Sequence, residues 1–201
     1  MRYRFSELLS MGGKSDKGPG RKFGPFHYFK ALVLINNAGR TGRARLANEL
    51  GIGEGSIRTL LDELETKSLI ARNNSGIVLT KKGKSIVSES PIMTMPIGDC
   101  SFSLSHHSSV AVVRSASERV SNGIRQRDEA VRNGGAGAIT MIVRNGRLYL
   151  PPEMKQVIDR ELDDVVFNAL QANEGDAVIM SSGNTAISSE MAVFAASVTL
   201  V

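Results

Sequence analysis

Arg58, preceded by Gly55 and Ser56 and followed by Thr59, is the set best suited to chemistry on a large anionic partner. A guanidinium carries five N–H donors in a rigid fork, and two of them match paired acceptors on one base edge, such as guanine O6 and N7. Ser56 and Thr59 are short and Gly55 has no side chain, so a helix bearing them brings its backbone close to whatever it reads. Arg40, Arg43, Arg45, Lys81, Lys82 and Lys84 would supply phosphate contacts, which hold register without reading sequence. Glu54, Asp62 and Glu63 fall in the same stretch and oppose an anionic partner.

The second half of the chain offers weaker candidates. Ser181, Ser182, Gly183, Asn184 and Thr185 have strand, loop, helix polarity, so free backbone N–H groups and hydroxyls there could hold an anion or a polar metabolite. An ordinary N-cap by Asn184 or Thr185 is the simpler role. Arg125, Arg127 and Asp128 form a polar cluster on one helix, facing either a ligand or solvent. His106 and His107 adjoin, but neighbours in a strand point apart, and Asp99 and Cys100 do not complete a ligand spacing. No metal, cofactor or catalytic constellation is expected. Two glycine runs are rejected as phosphate loops. Gly13-Lys14-Ser15 has Leu8 where a glycine is required. Gly134-Gly135-Ala-Gly137 follows a helix and precedes a strand, the reverse of a phosphate cradle, and reads as a helix cap with a tight turn.

Apolar spacing predicts the elements that position Arg58. Ile57, Leu60, Leu61 and Leu64 recur at i, i+3, i+4, i+7, one buried stripe of a helix over 54–66. Arg43–Leu50 is a second short helix, joined to the first by Gly51-Ile52-Gly53, a corner of helix-turn-helix type. Pro25 suits the first turn of a helix that Gly39 ends. Two β-prone runs flank Asn73-Asn74-Ser75-Gly76 and read as a hairpin. Lys81-Lys82-Gly83-Lys84 leads into a short closing helix. Residues 1–24 are basic and glycine-rich, read as a flexible segment that could reach toward nucleic acid, with a short helix at Arg2–Leu9.

Residues 91–105, with Pro91 and Pro96, read as a linker. Beyond it come a strand at 109–114, a helix at 118–133 and a strand at 138–143. Asn145-Gly146 then turns into a strand at 147–150. A helix at 154–171, a strand at 177–180 and an apolar helix from Thr185 complete an α/β sandwich with a small mixed sheet. The last helix, apolar nearly all round, is either buried or shared between subunits.

Composition separates the halves further. Sixteen Lys and Arg face eight Asp and Glu up to residue 90, against nine and twelve beyond it, within a net charge of +5 over 201 residues. Only the first half is suited to a polyanion. A single cysteine excludes an intrachain disulfide, and no apolar run reaches membrane-spanning or signal length, so a cytoplasmic, non-membrane protein is expected.

Residues 25–90 resemble the winged helix-turn-helix of bacterial and archaeal transcription regulators. The segments Leu46-Ala-Asn-Glu-Leu-Gly-Ile52, Ser56-Ile-Arg-Thr-Leu-Leu61, Leu64-Glu-Thr-Lys-Ser-Leu-Ile70 and Leu79-Thr-Lys-Lys-Gly83 carry the resemblance. It implies that Gly55, Ser56, Arg58 and Thr59 meet the major groove, with Arg72, Asn73, Asn74 and Lys81 on or near a wing that touches backbone or minor groove. Gly53 departs from the usual Ser or Thr cap, and Ser68 from the usual left-handed glycine. The whole chain also resembles, more loosely, an archaeal family that couples a winged helix to a C-terminal α/β domain and brings no activity with it. The expected fold is therefore α+β: a winged helix over 25–90, a linker, and an α/β domain over 106–201. The expected function is sequence-specific regulation on double-stranded DNA by a homodimer, the second domain sensing a small-molecule or anionic effector or dimerising. The rivals are a small enzyme, or a winged helix that docks protein.

Overall fold

Glycine and proline punctuate the first part of the chain. In the computed structural model, which describes residues 5–12, 23–98 and 100–201, contacts divide the chain into units 1–90 and 91–201. Most of the basic N-terminal segment, and Asp99, lie outside the described residues. Unit 1 runs α1 (Phe5–Leu9), α2 (Pro25–Ala38), α3 (Arg43–Leu50), α4 (Glu54–Thr66), β1 (Ile70–Asn73), β2 (Gly76–Leu79) and α5 (Lys81–Ser88). Pro25 opens α2, and Gly39 and Gly51 end α2 and α3 with positive φ. Ile57, Leu60, Leu61 and Leu64 on α4 are buried, as are Leu32 and Ile35 on α2 and Leu46 and Leu50 on α3, and α3 packs against both α2 and α4. Thr41 bridges Ile77, adding a short third rung to the β1–β2 hairpin.

α4 ends without the glycine that such an end favours. Ser68 takes φ 58°, Leu69 N–H bonds Leu64 O at 2.9 Å and Ser68 N–H bonds Glu65 O at 2.7 Å, the two bonds of a Schellman motif. α5 is then pinned to this end. Thr80 Oγ1 donates to Ser68 O at 2.7 Å and accepts from Gly83 N–H, while Lys82 Nζ donates to Lys67 O at 2.7 Å.

Unit 2 is one six-stranded sheet with helices on both faces. Its strands are β3 (Ile92–Ile97), β4 (His107–Val113), β5 (Gly135–Arg144), β6 (Arg147–Leu150), β7 (Lys155–Gln156) and β8 (Ala177–Gly183). The spatial order is β3-β4-β8-β5-β6-β7, and every pairing is antiparallel. α6 (Ile124–Arg132) and α8 (Ala186–Val198) pack together over β4, β5 and β8. On the opposite face Val110, Val112, Met141, Val143, Val178 and Met180 pack with Leu162 of α7 (Arg160–Asp163), Val166 of the π-helical turn Asp164–Ala169, and Leu170, which caps that turn.

Four details of unit 2 differ from the expectation. The sheet is antiparallel rather than mixed, because β8 inserts between β4 and β5; those two run parallel one strand apart, with α6 as their crossover. The stretch read as linker contains β3, paired with β4 from Ile92↔Val113 to Ile97↔Ser108. The expected helix at 118–133 is a 3-10 turn at Ser117–Arg119 and then α6, separated by Gly123 at φ 74°. The expected helix at 154–171 is β7, α7 and the π-helical turn: Met154 sits at φ 54°, and Asp159 starts α7 by accepting from Leu162 N–H. A cap inside the apolar periodicity marks a boundary that the periodicity alone does not show.

Candidate nucleic-acid interface

The outward side of α4 differs between its two halves. In the first half Gly55, Arg58 and Thr59 are exposed and Ser56 is half-buried. Gly53 caps this end without a side-chain bond, and a Cβ placed on Gly55 would meet nothing within 4 Å. The helix thus begins with open backbone N–H groups, the positive end of its dipole, and unobstructed space. Thr59 Oγ1 donates back to Gly55 O at 3.2 Å, and Arg58 makes no hydrogen bond or ion pair among the described residues.

In the second half the acidic residues are engaged. Arg72, carried back by the hairpin, places Nη1 2.7 Å from Asp62 Oδ1, and its Nε and Nη2 both donate to Glu65 Oε2. The Arg72 guanidinium holds the Glu65 carboxyl below the usual carboxylate range. Glu63 accepts from the Tyr28 hydroxyl of the buried face of α2. Arg72 thus offsets one unit of the negative charge on this half and Glu63 is hydrogen-bonded by a neutral hydroxyl, while Glu54 stays beside the helix start.

The wing follows from its turn chemistry. Asn73 pairs with Gly76, and Asn73 Oδ1 accepts both Ser75 N–H at 3.0 Å and Ser75 Oγ–H at 2.7 Å, so Asn74 and Ser75 form the tip. Asn73 and Asn74 are exposed there, as are Arg43 at the first turn of α3 and Lys81 at the first turn of α5. Two of the candidate cations have internal roles: Arg72 ties wing to helix, and Lys82 caps the carboxy end of α4. The links from Arg72 and Tyr28 were missed in the sequence, because nothing in spacing shows which residues a folded-back hairpin meets.

The second candidate set is placed quite differently. Ser181 and Ser182 are each 1% exposed, Ser181 Oγ donating to Gly137 O at 2.8 Å and Ser182 Oγ sharing a hydrogen bond with Ser108 Oγ at 2.9 Å. Gly183 is buried against α8, while Asn184 and Thr185 are exposed. Thr185 is the N-cap of α8, its hydroxyl accepting from Ser188 N–H at 3.1 Å. This loop is therefore a packing joint with a capped helix, not an assembled pocket. Arg125 and Arg127 are exposed on α6, where Arg127 bonds its neighbour Asp128. Among the described residues no group of three His, Cys, Asp or Glu is placed to hold a metal ion. No described helix is long and apolar enough to cross a membrane.

Three helices, a corner and a hairpin packed in this order make unit 1 a winged helix, followed by an α/β domain on an antiparallel sheet. Residues 31–85 match the family model described as PH0730-like, N-terminal domain, and residues 104–200 match a domain of unknown function, DUF4443. Among solved structures, the hypothetical protein PH0730 from Pyrococcus horikoshii OT3 aligns over 89% of this chain and 93% of its own, with a TM-score of 0.71 and 21% identity, and shows the same fold. The transcriptional repressor CouR, bound to p-coumaroyl-CoA, aligns over 42% of this chain and 57% of its own, at 23% identity and a TM-score of 0.31. The oxidized form of MarR from E. coli aligns over 43% and 59%, at 26% identity and a TM-score of 0.31. No curated protein sequence matches the chain.

Proposed function

We propose that the protein is a DNA-binding transcription regulator, with unit 1 docking α4 in the major groove of duplex DNA and its wing on the adjoining backbone. One observation carries this reading. The amino-terminal half of α4 presents open N–H groups, Gly55 and an exposed Arg58 that pairs with no other described residue, while Asp62, Glu63 and Glu65 accept hydrogen bonds or ion pairs from Tyr28 and Arg72. Arg58 reads a base edge; Ser56 and Thr59 allow close approach; Arg43 and Lys81 contact phosphates, with Asn73 and Asn74 at the wing tip. A single winged helix makes few contacts, so two copies acting on a two-part site in the cytoplasm complete the reading. Unit 2 then serves dimerisation or effector sensing rather than catalysis.

The test is binding of the full chain to a pool of random-sequence duplexes, followed by anisotropy at increasing salt and by selection of the bound sequences. Affinity is expected to fall steeply with salt, since phosphate contacts release counterions. Arg58→Ala should flatten the selected sequence preference, costing about 1–3 kcal/mol at one base pair. Lys81→Ala should weaken all duplexes alike and lower the salt slope by about one. Binding that ignores salt, or a sequence preference untouched by Arg58→Ala, overturns the reading.

A further inference from the structure

In unit 2 the β6–β7 hairpin and the π-helical turn enclose a cleft of about 370 Å3, lined by Arg147, Gln156, Val157, Ile158, Asp163 and Phe167, with Gly146 at the hairpin turn. That volume lies in the range that admits a small organic molecule. The lining is divided by chemistry. Val157 is buried and Phe167 half-buried, while Ile158, a branched aliphatic side chain, is 82% exposed. Arg147 Nη1 donates to Gln156 Oε1 at 3.2 Å, so the cation is held on the hairpin side. Asp163 is half-buried, and its carboxylate makes no hydrogen bond or ion pair among the described residues.

A partly desolvated carboxylate without a cation is electrostatically incomplete. Burial, and the nearby charge of Asp159, hold the Asp163 carboxyl above the usual range. Phe167 comes from the π-helical turn, a distortion that recurs at functional sites. Among the described residues the cleft thus holds a carboxylate without a cationic partner beside an aromatic and aliphatic surface, with the Arg147 cation, bonded only to neutral Gln156, on the hairpin side.

We propose that this cleft binds a small organic ammonium compound with an apolar body, Asp163 receiving the ammonium while Phe167, Val157 and Ile158 cover the body. Amines and amino acids both supply that chemistry; a carboxylate on the same molecule would meet Arg147. The site does not depend on the DNA reading, because none of its residues belongs to unit 1.

Calorimetry on the full chain with 2-phenylethylamine, L-phenylalanine and 3-phenylpropionate tests the proposal. The two ammonium compounds are expected to bind and 3-phenylpropionate to bind at least roughly tenfold more weakly. Asp163→Asn should weaken both ammonium compounds by about tenfold or more, and Arg147→Met should weaken only L-phenylalanine if the amino acid is the better source. Ile158→Ser changes an exposed side chain and leaves the fold intact, so loss of affinity there supports the site independently of Asp163. The proposal is overturned if neither ammonium compound binds up to about 10 mM. Equal binding of 3-phenylpropionate, or affinities unmoved by both Asp163→Asn and Ile158→Ser, overturns it as well. Duplex binding by the same preparations is read separately, so either result stands alone.

Discussion

Two helices begin on glycine and small hydroxyl residues, and their surroundings put that chemistry to opposite uses. At the start of α4, Gly53 and Gly55 stand in open space, with Ser56 and Thr59 on the outer side. At the start of α8, Ser181, Ser182 and Gly183 are buried, and the helix is closed by the hydroxyl of Thr185. The residue types are nearly the same. What differs is whether another layer lies over them: β8 is the inner strand between β4 and β5, covered on one side by α8, whereas Gly55, Arg58 and Thr59 lie on the exposed side of α4, opposite the buried Ile57 and Leu60. A polar helix start is open to a partner only where the fold leaves it uncovered.

The largest expected effect breaks the comparison at its buried end. A Cβ on Gly183 would stand 2.4 Å from Ser188 Oγ and 2.8 Å from Ser189 N, so Gly183→Ala forces α8 away from β8. Overpacking of this kind costs about 1–3 kcal/mol, which urea denaturation of the full chain would register as a lower midpoint. An unchanged midpoint would mean that the joint is looser than its distances imply.

That asymmetry also explains what could be read from residues alone. Ile57, Leu60, Leu61 and Leu64 predict α4 at its observed bounds because one face of a helix meeting one core leaves a clean period. Unit 2 obscures its signals. Val157, Leu162, Val166 and Leu170 are all buried at near-helical spacing, although Val157 follows a strand and Leu170 ends a π-helical turn. β3 contains Pro96, which suits an edge strand and equally suits a linker. At the candidate interface, the exposure of Arg58 and Thr59 follows from the stripe behind them. The capture of Arg72 by Asp62 and Glu65 depends on where the hairpin folds, and the burial of Ser182 depends on Ser108 arriving from another strand. Asp163 and Phe167 could not be joined to Arg147 while 154–171 read as one helix.

A third helix start gives a graded effect. At α2, Gly24 N–H donates to Nδ1 of His27, which is buried; burial first, and then the charge of Lys30, lower the imidazole pKa. The unfolded chain therefore takes up this proton more readily than the folded one, and the stability His27 contributes is present above about pH 6.5 and lost as pH falls below it. Melting temperatures between pH 7.5 and 5 should decline on acidification, and His27→Gln should flatten that decline. A decline of equal slope in the variant would assign the acid sensitivity to other groups.

The smallest expected change in stability sits at the open end of the comparison. Gly55→Ala adds a methyl group that meets nothing within 4 Å and replaces the most flexible residue in a helix by the best helix former. The helix should gain about 0.5–1 kcal/mol, seen as a modest rise in melting temperature. If α4 enters a groove, the same methyl group stands between backbone and bases, so duplex affinity should fall as stability rises. A gain in stability with duplex affinity unchanged would keep Gly55 exposed but place it away from the contact, shifting the groove-facing surface toward Arg58 and Thr59. Because Gly183→Ala is expected to move stability in the opposite direction, one substitution made at two helix starts separates a covered glycine from an exposed one.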